Sequence, residues 1–196
     1  MKFPHIIKDF ATDKELDILY EFSSTTDLWC FSGDERWDGR NCYLTELIDQ
    51  VGVESPALKT MVEVWSRCED LIREEVSMDI QLECPQFTRW FPGDDIWPSH
   101  ADNCHPDGKP NYSPHRSHGM VMYLNDDFEG GELVYPDFEL TVKPEKGMMC
   151  IHTAGWENNH GVRPVENGFR HTTVSFGTMD ADFIVENQGS MLNVYR

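Results

Sequence analysis

The order of apolar and polar positions divides the chain in two. Leu16, Leu19 and Tyr20 recur at helical spacing over about 13–22, the period that gives a helix one buried face. Thr12-Asp13-Lys14-Glu15 precedes them as a capping box, in which the Thr hydroxyl and the Glu carboxylate satisfy open N–H groups of the first turn. Ser55-Pro56 marks a second start, with proline at the one position where its missing N–H is harmless. Leu58, Met61, Val62, Trp65, Cys68, Ile72 and Val76 follow as a single apolar stripe. Both helices read as scaffold packed on a sheet, with the Met and Trp in the core. The stretch after the first helix, rich in Gly, Asp and Trp through roughly Tyr43, reads as a loop.

After Met78 the period shortens to two. Ile80, Leu82 and Cys84 alternate with Gln81 and Glu83, as in a half-buried strand. Further strands are expected over 87–91, 96–101, 118–124, 131–135, 138–142, 148–152, 160–165 and 169–177. Turn residues separate them, among them Pro92-Gly93-Asp94, Asn125-Asp126, Lys146-Gly147 and Glu166-Asn167-Gly168. Short strands at this spacing make a sandwich or barrel. The expected fold class is α+β, mainly β, in one domain over 1–196. A jelly-roll core over about 79–180 is supported by a helical buttress over about 1–78 and followed by a C-terminal extension over 181–196.

Composition narrows the function classes. The 196 residues are 39% apolar, enough for a sizeable core, and no apolar run approaches a membrane span. Met1 to Phe10 carries Pro4, His5 and Asp9 where a signal peptide needs an apolar stretch, so a cytoplasmic location is expected. The six cysteines form no C-x-x-C pair and read as reduced thiols. A net charge of −19 argues against a nucleic-acid substrate and favours a neutral or cationic partner.

Four residues carry chemistry. His100 and Asp102, at i and i+2 of a strand end, point to one face. His160 is the best candidate for a third ligand, and two imidazoles with one carboxylate suit a ferrous ion with open positions. Arg170, ten residues on, can grip a distant carboxylate. The turn between them matters. A two-residue Asn167-Gly168 turn would send Arg170 to the face opposite His160. A three-residue Glu166-Asn167-Gly168 loop with Gly168 left-handed pairs Pro164 with Arg170 and points both side chains inward, and this hairpin is expected.

Around these residues stand Trp90-Phe91-Pro92-Gly93, Trp97, Met122-Tyr123-Leu124-Asn125, Gly130-Gly131-Glu132-Leu133, His160-Gly161-Val162 and Gly168-Phe169-Arg170. With them the chain resembles the Fe(II)- and 2-oxoglutarate-dependent dioxygenases, and among these the prolyl 4-hydroxylase-like group. The resemblance implies a double-stranded β-helix, with Fe(II) on His100, Asp102 and His160. It implies 2-oxoglutarate as cosubstrate with its far carboxylate on Arg170, near Thr172 and Tyr123, and O2 as oxidant. Ascorbate is a further candidate cofactor. Trp90 and Trp97 stand where the family often has tyrosine; Trp90 is counted with the cosubstrate-binding residues, donating only from its indole. The implied reaction hydroxylates a substrate C–H, foremost peptidyl proline, while 2-oxoglutarate becomes succinate. Related halogenases lack the carboxylate, so Asp102 favours hydroxylation.

The resemblance places a mobile, substrate-covering loop over 104–117. A second metal on Cys104, His105, His115 or His118 is a weaker idea, and His152 and His171 read as structural residues or as partners behind the ligands, not as ligands themselves. The same chemistry on a free amino acid or other small molecule is one alternative, which pocket width would distinguish. A β-helix binding protein without turnover is another, opposed by the intact ligand set.

Overall fold

The computed structural model describes residues 4–31, 33, 35, 37–76, 79–180 and 182–183. The chain begins with β1 (His5–Ile7), α1 (Asp13–Thr25), β2 (Asn41–Tyr43), α2 (Leu44–Val51), α3 (Pro56–Val76), β3 (Gln81–Leu82) and β4 (Gln86–Trp90). It continues with β5 (Ile96–His100), β6 (Arg116–Tyr123), β7 (Glu129–Gly130), β8 (Leu133–Tyr135), β9 (Leu140–Val142) and β10 (Met149–Thr153). β11 (His160–Val162), β12 (Val165–Asn167) and β13 (Arg170–Thr178) complete it. Most of the extension expected over 181–196 lies outside the described residues, as do 1–3 and 77–78.

The capping box forms. Thr12 Oγ1 accepts from the Glu15 N–H at 3.4 Å, and Glu15 Oε2 accepts from the Thr12 N–H at 2.8 Å. Glu15 also receives Arg67 of α3 at 2.6 Å. That hydrogen bond, with the cap, holds the Glu15 carboxyl down at about 2, so one residue both starts α1 and ties it to α3.

The strands pair antiparallel into two sheets. The major sheet runs β1-β10-β6-β13-β4-β2, with β3 also on β13; the minor sheet runs β5-β11-β8-β9. This is the double-stranded β-helix expected from the resemblance. Two-residue periodicity divides the major sheet between two cores. Phe87, Met120, Met122, Met149 and Ile151 face Leu19 of α1 and Leu58, Met61, Trp65 and Ile72 of α3. Burying a side chain of this size contributes roughly 1.5–3 kcal/mol. Trp65 keeps its N–H satisfied by donating to Thr173 Oγ1 at 3.1 Å. From the opposite face, Tyr123 and Cys150 pack on Leu133, Tyr135, Val142 and Val162 of the minor sheet. The inner face of the major sheet, bearing Thr88, Trp90, Arg170 and Thr172, therefore looks into the space between the sheets.

Several elements were not foreseen, among them β7 and β12, which pair with each other where turns were expected. β1 and β2 are too short to show alternation and are fixed by distant strands, β10 and β4. α2 begins directly at the end of β2, without a side-chain cap to announce it.

The 160–170 hairpin requires correction. His160 and Val162 pair with β5, and Val162 also with β8, in the minor sheet; Arg170 pairs with Trp90 in the major sheet. Pro164 has no N–H to give to a hairpin ladder, and its carbonyl accepts from the Gly131 N–H at 3.0 Å. β12 then pairs with β7, and the chain crosses from one sheet to the other. Gly168 is left-handed, with φ 76°. Both His160 and Arg170 face inward, but from opposite sheets rather than from one hairpin. None of the six cysteines is in a disulfide. No helix among the described residues is long and apolar enough to cross a membrane.

Two buried histidines outside the candidate ligand set make stability depend on pH. Burial pushes His118 down to about 4, and burial with the nearby Arg89 does the same to His171. A group whose folded pKa is depressed stabilises fully above its unfolded pKa, near 6.5 for histidine, and loses that contribution as pH falls to the folded value. The metal-free chain is expected to hold constant stability from about pH 8 to 7 and to lose about 1–3 kcal/mol per histidine between about 6.5 and 4. Urea unfolding at successive pH values measures this; an unchanged midpoint down to pH 4.5 contradicts it.

Candidate active site

The site begins with a cross-strand pair. His100 closes β5 and His160 opens β11, and the two are register partners, so their rings meet at 4.6 Å as opposed side chains do. Asp102 follows beyond the strand end, where its N–H donates to the Ala154 carbonyl at 2.9 Å and turns the carboxylate inward. Its Oδ1 lies 3.8 Å from His100 Nε2 and 3.9 Å from His160 Nε2. One candidate ligand atom from each of the three lies within 4.8 Å of the others, close enough for all three to hold one metal ion.

Electrostatics prepare these groups to bind a cation. Burial and the neighbouring His152 push the His160 imidazole down to about 3, so it is neutral, as a ligand must be. Its Nδ1 faces the Asn158 carbonyl at 3.1 Å; that hydrogen bond puts the proton on Nδ1 and the lone pair on Nε2. Burial alone would raise the Asp102 carboxyl, but His160, a hydrogen bond to His152, and His100 hold it far below the usual range. Asp102 Oδ2 is 3.1 Å from His152 Nε2, and His152 Nδ1 is 2.9 Å from the Tyr135 hydroxyl. A Cβ at Gly119 would run into both Asp102 Oδ2 and His152 Nε2, so β6 approaches this closely only as glycine.

Arg170 comes from the other sheet. It is 2% exposed, and its guanidinium lies 5.0 Å from the Tyr123 ring centre and 5.6 Å from that of Trp90. It reaches the Tyr123 hydroxyl only at 3.5 Å. It enters no ion pair among the described residues. Its Nε has no hydrogen-bond partner, and neither does Trp90 Nε1. Burying an unpaired charge costs several kcal/mol, so these orphaned donors mark a place for an anion. Thr172 lines the same space, but its hydroxyl donates to the Thr88 carbonyl at 3.3 Å. Burial raises the Tyr123 phenol above its ordinary value, with Arg170 opposing, so Tyr123 keeps its proton.

A cleft of about 830 Å³ joins the two ends, lined by His100, Asp102, His160, Arg170, Thr172 and Trp90. Of the sequence-predicted residues Tyr123 alone stands behind this lining, against Arg170. The donors fit a metal ion at one end and a dicarboxylate at the other. The 104–117 stretch flanks the cleft with His105, Pro106, Asn111 and Tyr112. His115 is taken up by Glu83 at 2.9 Å, and no second metal cluster occurs among the described residues. His152 stands where it was expected, behind the ligand candidates rather than among them, with its Nε2 against Asp102 Oδ2. Its signal lay in the expected 148–152 strand, where alternation puts Cys150 and His152 on the face opposite Met149 and Ile151.

Comparisons with known proteins bear on the sequence family and the fold. The sequence model of the 2OG-Fe(II) oxygenase superfamily matches residues 85–176. Prolyl 3-hydroxylase 2 of Rattus norvegicus is 35% identical over 95 residues, 42% of this chain and 14% of that protein. The chain thus spans about one seventh of the length of this curated relative. Among solved structures, a Pseudomonas putida prolyl-4-hydroxylase superposes with a TM-score of 0.66 at 18% identity, covering 90% of this chain and 92% of the other. A viral collagen prolyl hydroxylase from Paramecium bursaria Chlorella virus-1, in a 2OG complex, gives 0.60 at 21% identity, covering 91% and 97%.

Proposed function

We propose that this chain, whose residues 85–176 match the sequence model of the 2OG-Fe(II) oxygenase superfamily, is such an oxygenase and hydroxylates prolyl residues in a peptide or protein. The observation that carries the reading is the two-ended cleft, with a His–Asp–His cluster from one side and a buried, unpaired Arg170 from the other. His100, Asp102 and His160 would hold Fe(II). Arg170 would take the far carboxylate of 2-oxoglutarate, with Trp90 N–H and Tyr123 O–H as further donors. When bound, this pair with O2 supplies oxidation of a C–H bond to C–OH, and the cosubstrate leaves as succinate and CO2. The chain contributes two imidazoles, one anionic carboxylate and a fixed cation, set among Ile96, Val121, Leu133 and Val162. These apolar walls keep water away and strengthen the charge interactions. Ascorbate belongs to the proposal as an external reductant, tested by omitting it.

Two rim residues favour a peptide over a free amino acid. Trp97 is 53% exposed and Tyr112 is 92% exposed, and both border the cleft. Exposed aromatics beside a groove suit a proline-rich segment in polyproline II form, and the −19 charge draws cationic flanks. The similarity to a prolyl 3-hydroxylase supports the same substrate class. The test is succinate formation with Fe(II) and 2-oxoglutarate, using proline-rich peptides with basic flanks against free proline. Peptides are expected to gain one oxygen and to outrun free proline, and separating 3- from 4-hydroxyproline fixes the position. Faster turnover of free proline, or no decarboxylation with any proline peptide, contradicts the proposal.

A further inference from the structure

We infer that His152, backed by Tyr135, is a positioning residue that commits one oxygen of Asp102 and leaves the other to the metal. The inference rests on the metal site proposed above. His152 is 3% exposed and Tyr135 is fully buried, so two polar groups are buried to serve one carboxylate oxygen. The direction of the chain of hydrogen bonds follows from the groups themselves. A metal-ligating carboxylate only accepts. His152 Nε2 must then carry the proton donated to Asp102 Oδ2 at 3.1 Å. The lone pair is left on Nδ1, to which the Tyr135 hydroxyl donates at 2.9 Å.

The packing allows little else. The His152 ring lies 4.1 Å from that of His160, and the Tyr135 ring 5.6 Å from His152 and 5.9 Å from His160. Gly119 closes the other side, where any side chain would strike both ends of the His152–Asp102 bond. With Oδ2 committed, Oδ1 is the oxygen facing His100 and His160. A carboxylate limited to one ligating oxygen leaves more of an octahedral ion open to a two-point cosubstrate and O2. Partners of this kind behind a ligand are worth about 10–100-fold in metal affinity.

The test uses the full chain and Mn(II) as probe, with metal affinity and thermal unfolding of the metal-free protein as readouts. His152→Leu is expected to weaken Mn(II) by about 10–100-fold. His152→Gln, whose amide N–H can still reach Oδ2, is expected to recover most of that loss. Tyr135→Phe removes one hydroxyl and almost no packing, so it is informative even if the leucine variant does not fold; a several-fold loss is expected. Unmodified Mn(II) affinity in Tyr135→Phe or in a folded His152→Leu overturns the inference. So does a glutamine variant as weak as the leucine one, which would assign His152 to packing alone. Failure of the unmodified chain to bind Mn(II) would instead overturn the proposed metal site, so the two readings fail separately.

Discussion

An Arg170→Leu chain is expected to unfold at higher urea than the unmodified chain and to bind 2-oxoglutarate at least about 30-fold more weakly, since truncating one member of a buried charge pair costs roughly 2–5 kcal/mol. The two effects have one cause. Arg170 sits 2% exposed between Tyr123 and Trp90, with its Nε unpartnered and no carboxylate beside it. In the ligand-free chain that guanidinium is desolvated without an anion, and replacing buried ions by apolar groups of similar volume gains about 1–4 kcal/mol in favourable cases. With a dicarboxylate in place, the same guanidinium can make two parallel charge-assisted bonds. Arg170→Lys keeps the charge but loses the fork, and should fall between the two. Urea unfolding and calorimetric titration with 2-oxoglutarate measure both sides. A destabilised leucine chain with unchanged 2-oxoglutarate affinity contradicts this account of Arg170.

Asp102→Ala is expected to weaken divalent metal binding by more than about 100-fold, because even a residue behind a ligand is worth about 10–100-fold. It removes the one anionic member of the proposed ligand set and strands His152, whose Nε2 loses its acceptor at 3.1 Å. An unsatisfied buried donor costs about 1–3 kcal/mol, so the metal-free chain should lose stability as well. Asp102→Asn separates the terms. Its carbonyl oxygen can still accept from His152, so stability should be kept, while the loss of negative charge still removes metal affinity. Metal titration beside thermal unfolding of the three chains measures this. Equal metal affinity in the unmodified and asparagine chains contradicts the ligand assignment.

Much of this site was legible because strands have a strict two-residue period. Alternation puts His100 at the inward end of β5, while Asp102 lies past that end and is turned inward by its hydrogen bond to Ala154; the capping box at Thr12 and the proline start at Pro56 announce α1 and α3. Less was legible where the decisive contact lies far away in sequence. β1 is a strand because β10 is beside it, and three residues carry no pattern of their own. The inward direction of Arg170 was expected from a hairpin that does not form. Pro164 ends the pairing and the chain changes sheets, so Arg170 meets the cleft as the register partner of Trp90. Only the two-sheet closure shows how it comes to face His160. His152 was visible as an inward polar position, but its use depends on Asp102, fifty residues earlier, turning back to meet it.

In the proposed site, the His100–Asp102–His160 cluster and Arg170 hold one molecule of 2-oxoglutarate between them. The most direct measurement is the visible absorption of the full chain, without oxygen, on adding Fe(II) and then 2-oxoglutarate. A cosubstrate bound through its keto acid to ferrous iron gives a charge-transfer band that neither component gives alone. The account predicts this band in the unmodified chain, its loss in Asp102→Ala, and its return in Arg170→Leu only at much higher 2-oxoglutarate. Absence of the band while 2-oxoglutarate binds tightly, or a band indifferent to both substitutions, would contradict it.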